Sequence, residues 1–263
     1  MDMKGKTALV TGASSGLGVE FARQLAAMGA NLVITARRAD RLESLAAEIR
    51  EKRGVKVTVL ALDLSQPDAA QEIFDKTEAA GTPIDVLVNN AGFACFGPFV
   101  ETPWECLRTL IEVDIRALTE LAHLFSRAMV ARDRGWILNV ASLVAYMPIP
   151  SYAAYSAAKS YVRNFTEALA HELRDTKVRV CSLCPGGIAT EFWEVAGQNN
   201  PNVLIRATMA SPDRVARTGL RAVFGWRRNV VAGLLNALIA WLTRISPRRF
   251  LVRIAGLVVG RKS

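Results

Sequence analysis

Short β-branched, apolar runs alternate with amphipathic helical stretches along most of this chain, and that rhythm leaves few folds open to it. Strand-like runs occupy residues 6–11, 31–36, 55–61, 84–89, 135–141 and 177–183. Helical patterns lie between them. One follows Gly16, with Phe21, Leu25 and Met28 on one face; others cover 39–53, 67–80, 102–133 (as two helices) and 151–175. Strands separated by helices of this size form right-handed crossovers, which build a parallel sheet covered on both faces. The expected fold class is therefore α/β with a doubly wound parallel sheet. A chain of 263 residues is long enough for one such domain with a well-buried core.

After Pro185 the rhythm breaks. Residues 191–211 are rich in Asn, Gly and Pro without clear periodicity, as in a substrate loop or lid over 185–211. A helix over 213–224 and a short strand at 229–231 follow, then a basic, apolar tail. The expected organisation is a main body of residues 1–226, with 227–263 as a helical C-terminal extension of the same domain.

The first strand ends in Thr11-Gly12-Ala13-Ser14-Ser15-Gly16-Leu17-Gly18 and feeds a helix. Glycines at such a turn let backbone approach a pyrophosphate, and the helix N-terminus offers unpaired N–H groups and a positive dipole end. A glycine-rich turn alone is also what any tight turn needs. Its place after the first strand of a βαβαβ pattern points instead to a Rossmann-like dinucleotide site. The second strand ends in Ala36-Arg37-Arg38, where an acidic residue would take a ribose 2′-hydroxyl and Arg a 2′-phosphate. A guanidinium fork pairs well with phosphate, so NADP(H) is expected over NAD(H), with Arg37 as the selecting residue.

Tyr155 and Lys159 stand four apart at the start of a long helix, on one face and roughly 6 Å apart along its axis. A phenol titrates too high to exchange protons freely at neutral pH, and a neighbouring ammonium should lower its pKa. Ser142, at the end of the fifth strand, could hold a substrate oxygen. Tyr and Lys at this spacing also occur on ordinary helices, as an interfacial tyrosine and a solvated lysine.

In combination the motifs are specific. Thr11-Gly12-x3-Gly16-x-Gly18, Asn89-Asn90-Ala91-Gly92, Ser142, Tyr155-x3-Lys159 and Pro185-Gly186 resemble, in order and spacing, the short-chain dehydrogenases/reductases over about residues 4–192. Within that family the chain looks most like reductases of apolar carbonyls. The resemblance implies that Gly12, Ser14, Gly16 and Leu17 hold the phosphates, and that Asp63 and Leu64 meet the adenine. It implies that Asn90 and Gly92 line the cofactor ribose, and that Pro185, Gly186 and Thr190 border the nicotinamide. Tyr155 would be the acid/base, Lys159 would bind the nicotinamide ribose and tune Tyr155, and Ser142 would orient the carbonyl. One position departs from the family: Asp114 stands where an Asn usually helps to position a water in a proton relay. Its charge would favour the ammonium of Lys159 and alter that relay. The alternative reading is a non-catalytic NADP(H)-binding module or sensor, associated with a membrane or partner protein.

Charge and cysteine usage bear on partners and compartment. The chain carries a net charge of +9, yet residues 214–263 hold eleven Arg and Lys and no Asp or Glu. Removing those eleven leaves a net −2 for the rest, so the asymmetry suggests a local anionic partner such as lipid, and no nucleic acid. The apolar segments of 227–263, with Arg and Trp241, suit peripheral contact with a membrane, and equally a subunit interface or substrate lid. Four cysteines fit buried free thiols in a reducing, cytoplasmic compartment, and the N-terminus lacks the pattern of a secretory signal. Cys181 and Cys184 sit three apart in a strand, on opposite faces, which argues against a redox or metal pair. No metal site is expected. Phe93, Phe96, Tyr146, Met147, Phe192 and Trp193 would make an apolar pocket for a small lipophilic carbonyl or alcohol, with core packing as the other reading. A homo-oligomer is expected.

Overall fold

The computed structural model describes residues 1–188 and 208–259. Seven strands form one parallel sheet in the order β3-β2-β1-β4-β5-β6-β7. They are β1 (Thr7–Thr11), β2 (Asn31–Ala36), β3 (Val57–Ala61), β4 (Val86–Asn89), β5 (Gly135–Val140), β6 (Val178–Pro185) and β7 (Asn229–Ala232). The order reverses between β1 and β4, and such a switch point opens a crevice at the carboxyl ends of the strands. Helices cover both faces: α1 (Gly16–Ala27), α2 (Ala39–Arg53), α3 (Ala69–Asp75), α4 (Trp104–Ile111), α5 (Leu118–Ala131), α6 (Ala153–Glu172) and α7 (Pro212–Phe224). Two more, α8 (Leu234–Ile245) and α9 (Arg248–Val259), follow β7. The fold is the doubly wound, Rossmann-like sheet that the strand and helix rhythm implies.

Because β1 and β4 are buried on both faces, their residues divide between two cores. Val10, Val86 and Val88 pack with Phe21, Leu25 and Leu220 on one side, and Leu9 and Leu87 with Phe125 and Ile137 on the other. Cys181 and Cys184 also fall in different cores, as positions three apart on a strand should.

Three departures from the expected elements have local causes. The helix expected over 67–80 is confined to Ala69–Asp75. Just beyond it, the Thr77 hydroxyl donates to the Ile73 carbonyl at 2.6 Å and competes with the helical ladder. The two helices expected over 102–133 are joined without a break by a π-helical segment, Glu112–Ala117, which carries Asp114. The third concerns the cysteines. Cys181 and Cys184 are free and buried, but Cys95 and Cys106 are joined in a disulfide that ties the loop after β4 to α4. The two residues come within 6.3 Å (Cα to Cα) because α4 folds back against that loop, a tertiary contact invisible in their spacing. Four free thiols are thus reduced to two.

Candidate active site

One cavity of about 960 Å³ runs from the β1–α1 turn, past the ends of β4 and β5, to the C-terminal helices. Its nucleotide end is made of backbone. Gly12 takes φ +66°, and a Cβ there would meet the Ala91 Cα at 2.9 Å, so glycine is required both by conformation and by space. The turn is pinned to the loop after β4: Thr11 Oγ1 accepts from the Asn90 and Ala91 N–H groups at 3.0 and 2.9 Å. The Asn90 amide in turn donates to the Thr11 carbonyl at 2.9 Å. Ser15, the N-cap of α1, makes no side-chain cap, and the first turn of α1 holds no acidic residue. That helix end therefore keeps donors and dipole available to an anion.

Gly12, Ser14, Gly16, Leu17 and Arg37 line this end together with Asp63, Leu64, Asn90 and Gly92. Arg38 lies across the turn, donating to Ser14 Oγ at 3.2 and 3.3 Å, while Arg37 is exposed. Sequence reasoning had singled out Arg37, yet both guanidiniums border the cavity. Asp63 turns its carboxylate to the Ser65 N–H and hydroxyl, at 3.0 and 2.9 Å. The glycine cradle, the uncapped helix end and the paired arginines fit a dinucleotide phosphate.

At the centre, Ser142, Tyr155 and Lys159 line the cavity, all three buried. A chain of amides sets the helix that carries two of them. Asn89 donates to Asn139 Oδ1, and Asn139 to Thr166 Oγ1, each at 3.0 Å, so α6 is fastened to β4 and β5. Lys159 Nζ then donates to the Val140 carbonyl at 3.2 Å and pairs with Asp114 Oδ1 at 2.5 Å. Asp114 lies fully buried behind the cavity lining, its other oxygen accepting from the Phe93 N–H at 3.1 Å. Gly92 closes over this ion pair: a Cβ there would meet Asp114 Oδ1 at 2.6 Å and Lys159 Nζ at 2.9 Å.

Burial pushes the Asp114 carboxyl up, against the pull of Lys159 and of the Phe93 N–H. Tyr155 is raised as well, first by burial and then by the Asp114 charge, against the Ser142 hydrogen bond. This corrects the expectation that Lys159 lowers the phenol. Its ammonium is matched by a carboxylate and sits 5.7 Å from the Tyr155 ring centroid, so its field at the hydroxyl is largely cancelled.

Pro185 and Gly186 line the cavity beyond Lys159, whereas Thr190 lies outside the described residues. Phe93 and Met147 line the apolar end; Phe96 packs behind it on the cavity-lining Tyr152, Tyr146 belongs to a separate cluster with Val162 and Cys184, and Phe192 and Trp193 lie outside the described residues. The apolar wall is mostly Leu235, Ile239, Leu242, Phe250, Leu251 and Ile254 from α8 and α9, within the extension whose sequence left membrane contact, subunit interface and substrate lid open. The period of 235, 239 and 242 marks one helical face, but nothing in it says what that face covers. Among the described residues, no group of His, Cys, Asp or Glu could hold a metal ion, and no helix is long and apolar enough to cross a membrane.

Comparison with known proteins fits this geometry. The family model described as short chain dehydrogenase matches residues 6–201, and the chain belongs to that family. A short chain dehydrogenase of Pseudocercospora fijiensis is 39% identical over 196 residues, covering 72% of this chain and 62% of the relative. A 7beta-hydroxysteroid dehydrogenase of Collinsella aerofaciens is 36% identical, covering 67% of this chain and 66% of its own length. A very-long-chain 3-oxoacyl-CoA reductase of Phaeosphaeria nodorum is 33% identical, covering 80% of this chain but 64% of its own length. The chain thus spans a little under two thirds of the length of these relatives. Among solved structures, one from a study of 7beta-hydroxysteroid dehydrogenase stereoselectivity superposes with a TM-score of 0.88 at 29% identity, covering 97% of this chain and all of that one. A short-chain dehydrogenase from Sphingobium yanoikuyae in complex with NADPH gives 0.81 at 29% identity, with 92% and 97% covered.

Proposed function

We propose that this chain is an NADP(H)-dependent oxidoreductase that reduces a bulky, lipophilic ketone, with Tyr155 as the proton donor. The observation that carries this reading is one cavity that joins the phosphate cradle, the Ser142–Tyr155–Lys159 cluster and a large apolar wall. The arginines beside Ser14 and the NADPH held by the Sphingobium yanoikuyae relative support NADP(H) as cofactor. The names of the relatives, a hydroxysteroid dehydrogenase and long-chain oxoacyl reductases, support a large apolar substrate.

Bound at the cradle, the reduced nicotinamide would supply the hydride. The protein's part is to orient the carbonyl and move one proton. The Ser142 and Tyr155 hydroxyls, hydrogen-bonded to each other, would together hold the carbonyl oxygen. As the oxygen gains negative charge, Tyr155 gives up its proton to it. Lys159, tethered to Val140 and Asp114, would hold the cofactor ribose, while the Ser142 hydrogen bond would steady the phenolate that forms. A phenol raised by burial and by Asp114 stays protonated at neutral pH, which favours reduction over oxidation. Pro185, Gly186 and Thr190 would border the nicotinamide, and Asp63 and Leu64 the adenine.

In this reading residues 1–226 and the extension 227–263 work as one domain, since α8 and α9 wall the cavity. The free thiols Cys181 and Cys184 fit a reducing, cytoplasmic setting and the Cys95–Cys106 disulfide does not, and peripheral membrane contact through the extension belongs to the same reading. Self-association fits the stacked Tyr161–Phe165 pair at the groove between α5 and α6. The test is NADPH oxidation across a panel of lipophilic ketones, comparing wild type with Tyr155→Phe. Loss of about 10²–10⁴-fold in turnover with NADPH affinity intact is expected. Equal turnover by the two proteins, or none by either, would count against it.

A further inference from the structure

Helices α8 and α9 are apolar on two sides. Inward, Ile239, Leu251 and Ala255 line the cavity, and Asn236 and Ala240 are buried. Outward, Leu234, Leu238, Trp241 and Ile245 recur at spacings of four, three and four, one stripe of α8, and they are 92%, 52%, 55% and 65% exposed. Phe250, Ile254 and Leu257 repeat the spacing on α9, again exposed. A helix at the surface of a globular protein normally turns its single apolar stripe to the core and a polar face to water. Here the core-facing side is already occupied and a second apolar stripe is left in solvent.

The charges beside that stripe select its occupant. Arg244, Arg248, Arg249 and Arg253 are exposed and have no ion-pair partner among the described residues, and no Asp or Glu follows Asp213 in the chain. A second copy of the chain on this face would set guanidiniums against guanidiniums with no carboxylate between them. An anionic lipid surface answers both features, taking the apolar stripe at the acyl boundary and the arginines at the phosphates. Trp241 is the residue type that favours that boundary. Each helix has 12 residues, about 18 Å of helix against a hydrocarbon core of about 30 Å, so the pair can lie on a bilayer but not cross it.

We propose that the outward faces of α8 and α9 dock on an anionic lipid bilayer. Leu235, Leu242, Phe250 and Ile254 are exposed and also line the cavity, so its rim lies in the docking face. A lipophilic substrate would then pass from membrane to site without crossing water; that last step rests on the proposed ketone reductase, whereas the docking does not.

The full chain is sedimented with vesicles of phosphatidylcholine alone, and with vesicles in which about a third of the lipid is phosphatidylserine. Two double variants, Leu238→Glu with Trp241→Glu and Arg248→Glu with Arg249→Glu, replace no residue that lines the cavity. Binding to the phosphatidylserine vesicles is expected, weakened about tenfold by either variant and by raising salt from about 0.1 to 0.5 M. Calorimetric binding of NADPH, unchanged in the variants, reports that they are folded, and no turnover is read. The wild-type salt series stands even if a variant misfolds. Absence of wild-type binding to the anionic vesicles would overturn the proposal, as would equal binding to both vesicle types. So would a dimer that the variants dissociate while no form binds lipid.

Discussion

On its nucleotide side the cavity is walled by backbone and short polar side chains: Gly12, Ser14 and Gly16 at one turn, Asn90 and Gly92 at the next. On its far side it is walled by long apolar side chains of α8 and α9. The first wall is locked. Thr11 bridges β1 to the loop after β4, and α1 sinks six residues into the core. The second is lightly held, with Asn236 and Ala240 the buried residues of α8 and Ala255 that of α9. Asn236 carries much of the attachment, donating to the Ala232 and Thr208 carbonyls at 2.7 and 3.1 Å. A wall of backbone donors suits a ligand whose phosphates never change, and a wall of loosely anchored side chains suits substrates of varied outline. Segments with few buried contacts also open at lower free-energy cost, so amides of α8 and α9 should exchange well before those of α1.

The comparison breaks most easily at Gly12. Gly12→Ala must adopt φ +66° with its Cβ against Ala91, a strain of about 1–3 kcal/mol. Calorimetry should show NADPH affinity falling by about tenfold or more, with thermal stability reduced. A variant that binds NADPH as tightly as wild type would show that the first wall is not locked.

Between the walls, Asp114→Asn should shift the chemistry about tenfold at fixed pH. The sign follows from what Asp114 does: its charge raises Tyr155, so its removal lowers the phenol's pKa. Reduction needs the phenol, and its alkaline limb should move to lower pH; oxidation needs the phenolate and should gain at neutral pH. Paired pH profiles in the two directions check this. A shift of both limbs upward would reverse the assigned role. The smallest effect belongs to the far wall. Ile239→Ala should raise KM for a bulky ketone by about three- to tenfold and leave NADPH affinity unchanged. An equal loss of nucleotide affinity would mean that the two walls are not independent.

Most of the sheet and the nucleotide wall were legible in the residues, because their signals are local. A strand of β-branched residues, a glycine turn and a helix with its apolar face form one contiguous word at residues 7–27. Tyr155 and Lys159, four apart on one helix, were legible only in combination with the glycine turn, Asn89-Asn90-Ala91-Gly92 and Ser142. What stayed hidden depends on contacts between distant segments. The Asp114–Lys159 pair joins residues 45 apart in sequence, and only with its geometry known does the Tyr155 phenol move up and not down. The Cys95–Cys106 disulfide, the place of Arg38 across Ser14, and the burial of one face of α8 are of this kind. The tail was expected to be a helical extension with apolar segments, but covering a cavity and meeting solvent leave the same pattern in a sequence.

The most direct test of an NADP(H)-dependent site is calorimetric titration of the full chain with NADPH and with NADH at fixed salt. Arginine hydrogen bonds to a 2′-phosphate contribute about 1.5–3 kcal/mol, so NADPH should bind at least about tenfold tighter, a preference lost in Arg37→Ala with Arg38→Ala. Equal or tighter binding of NADH would contradict the arginine reading, and no binding of either nucleotide would contradict the site itself.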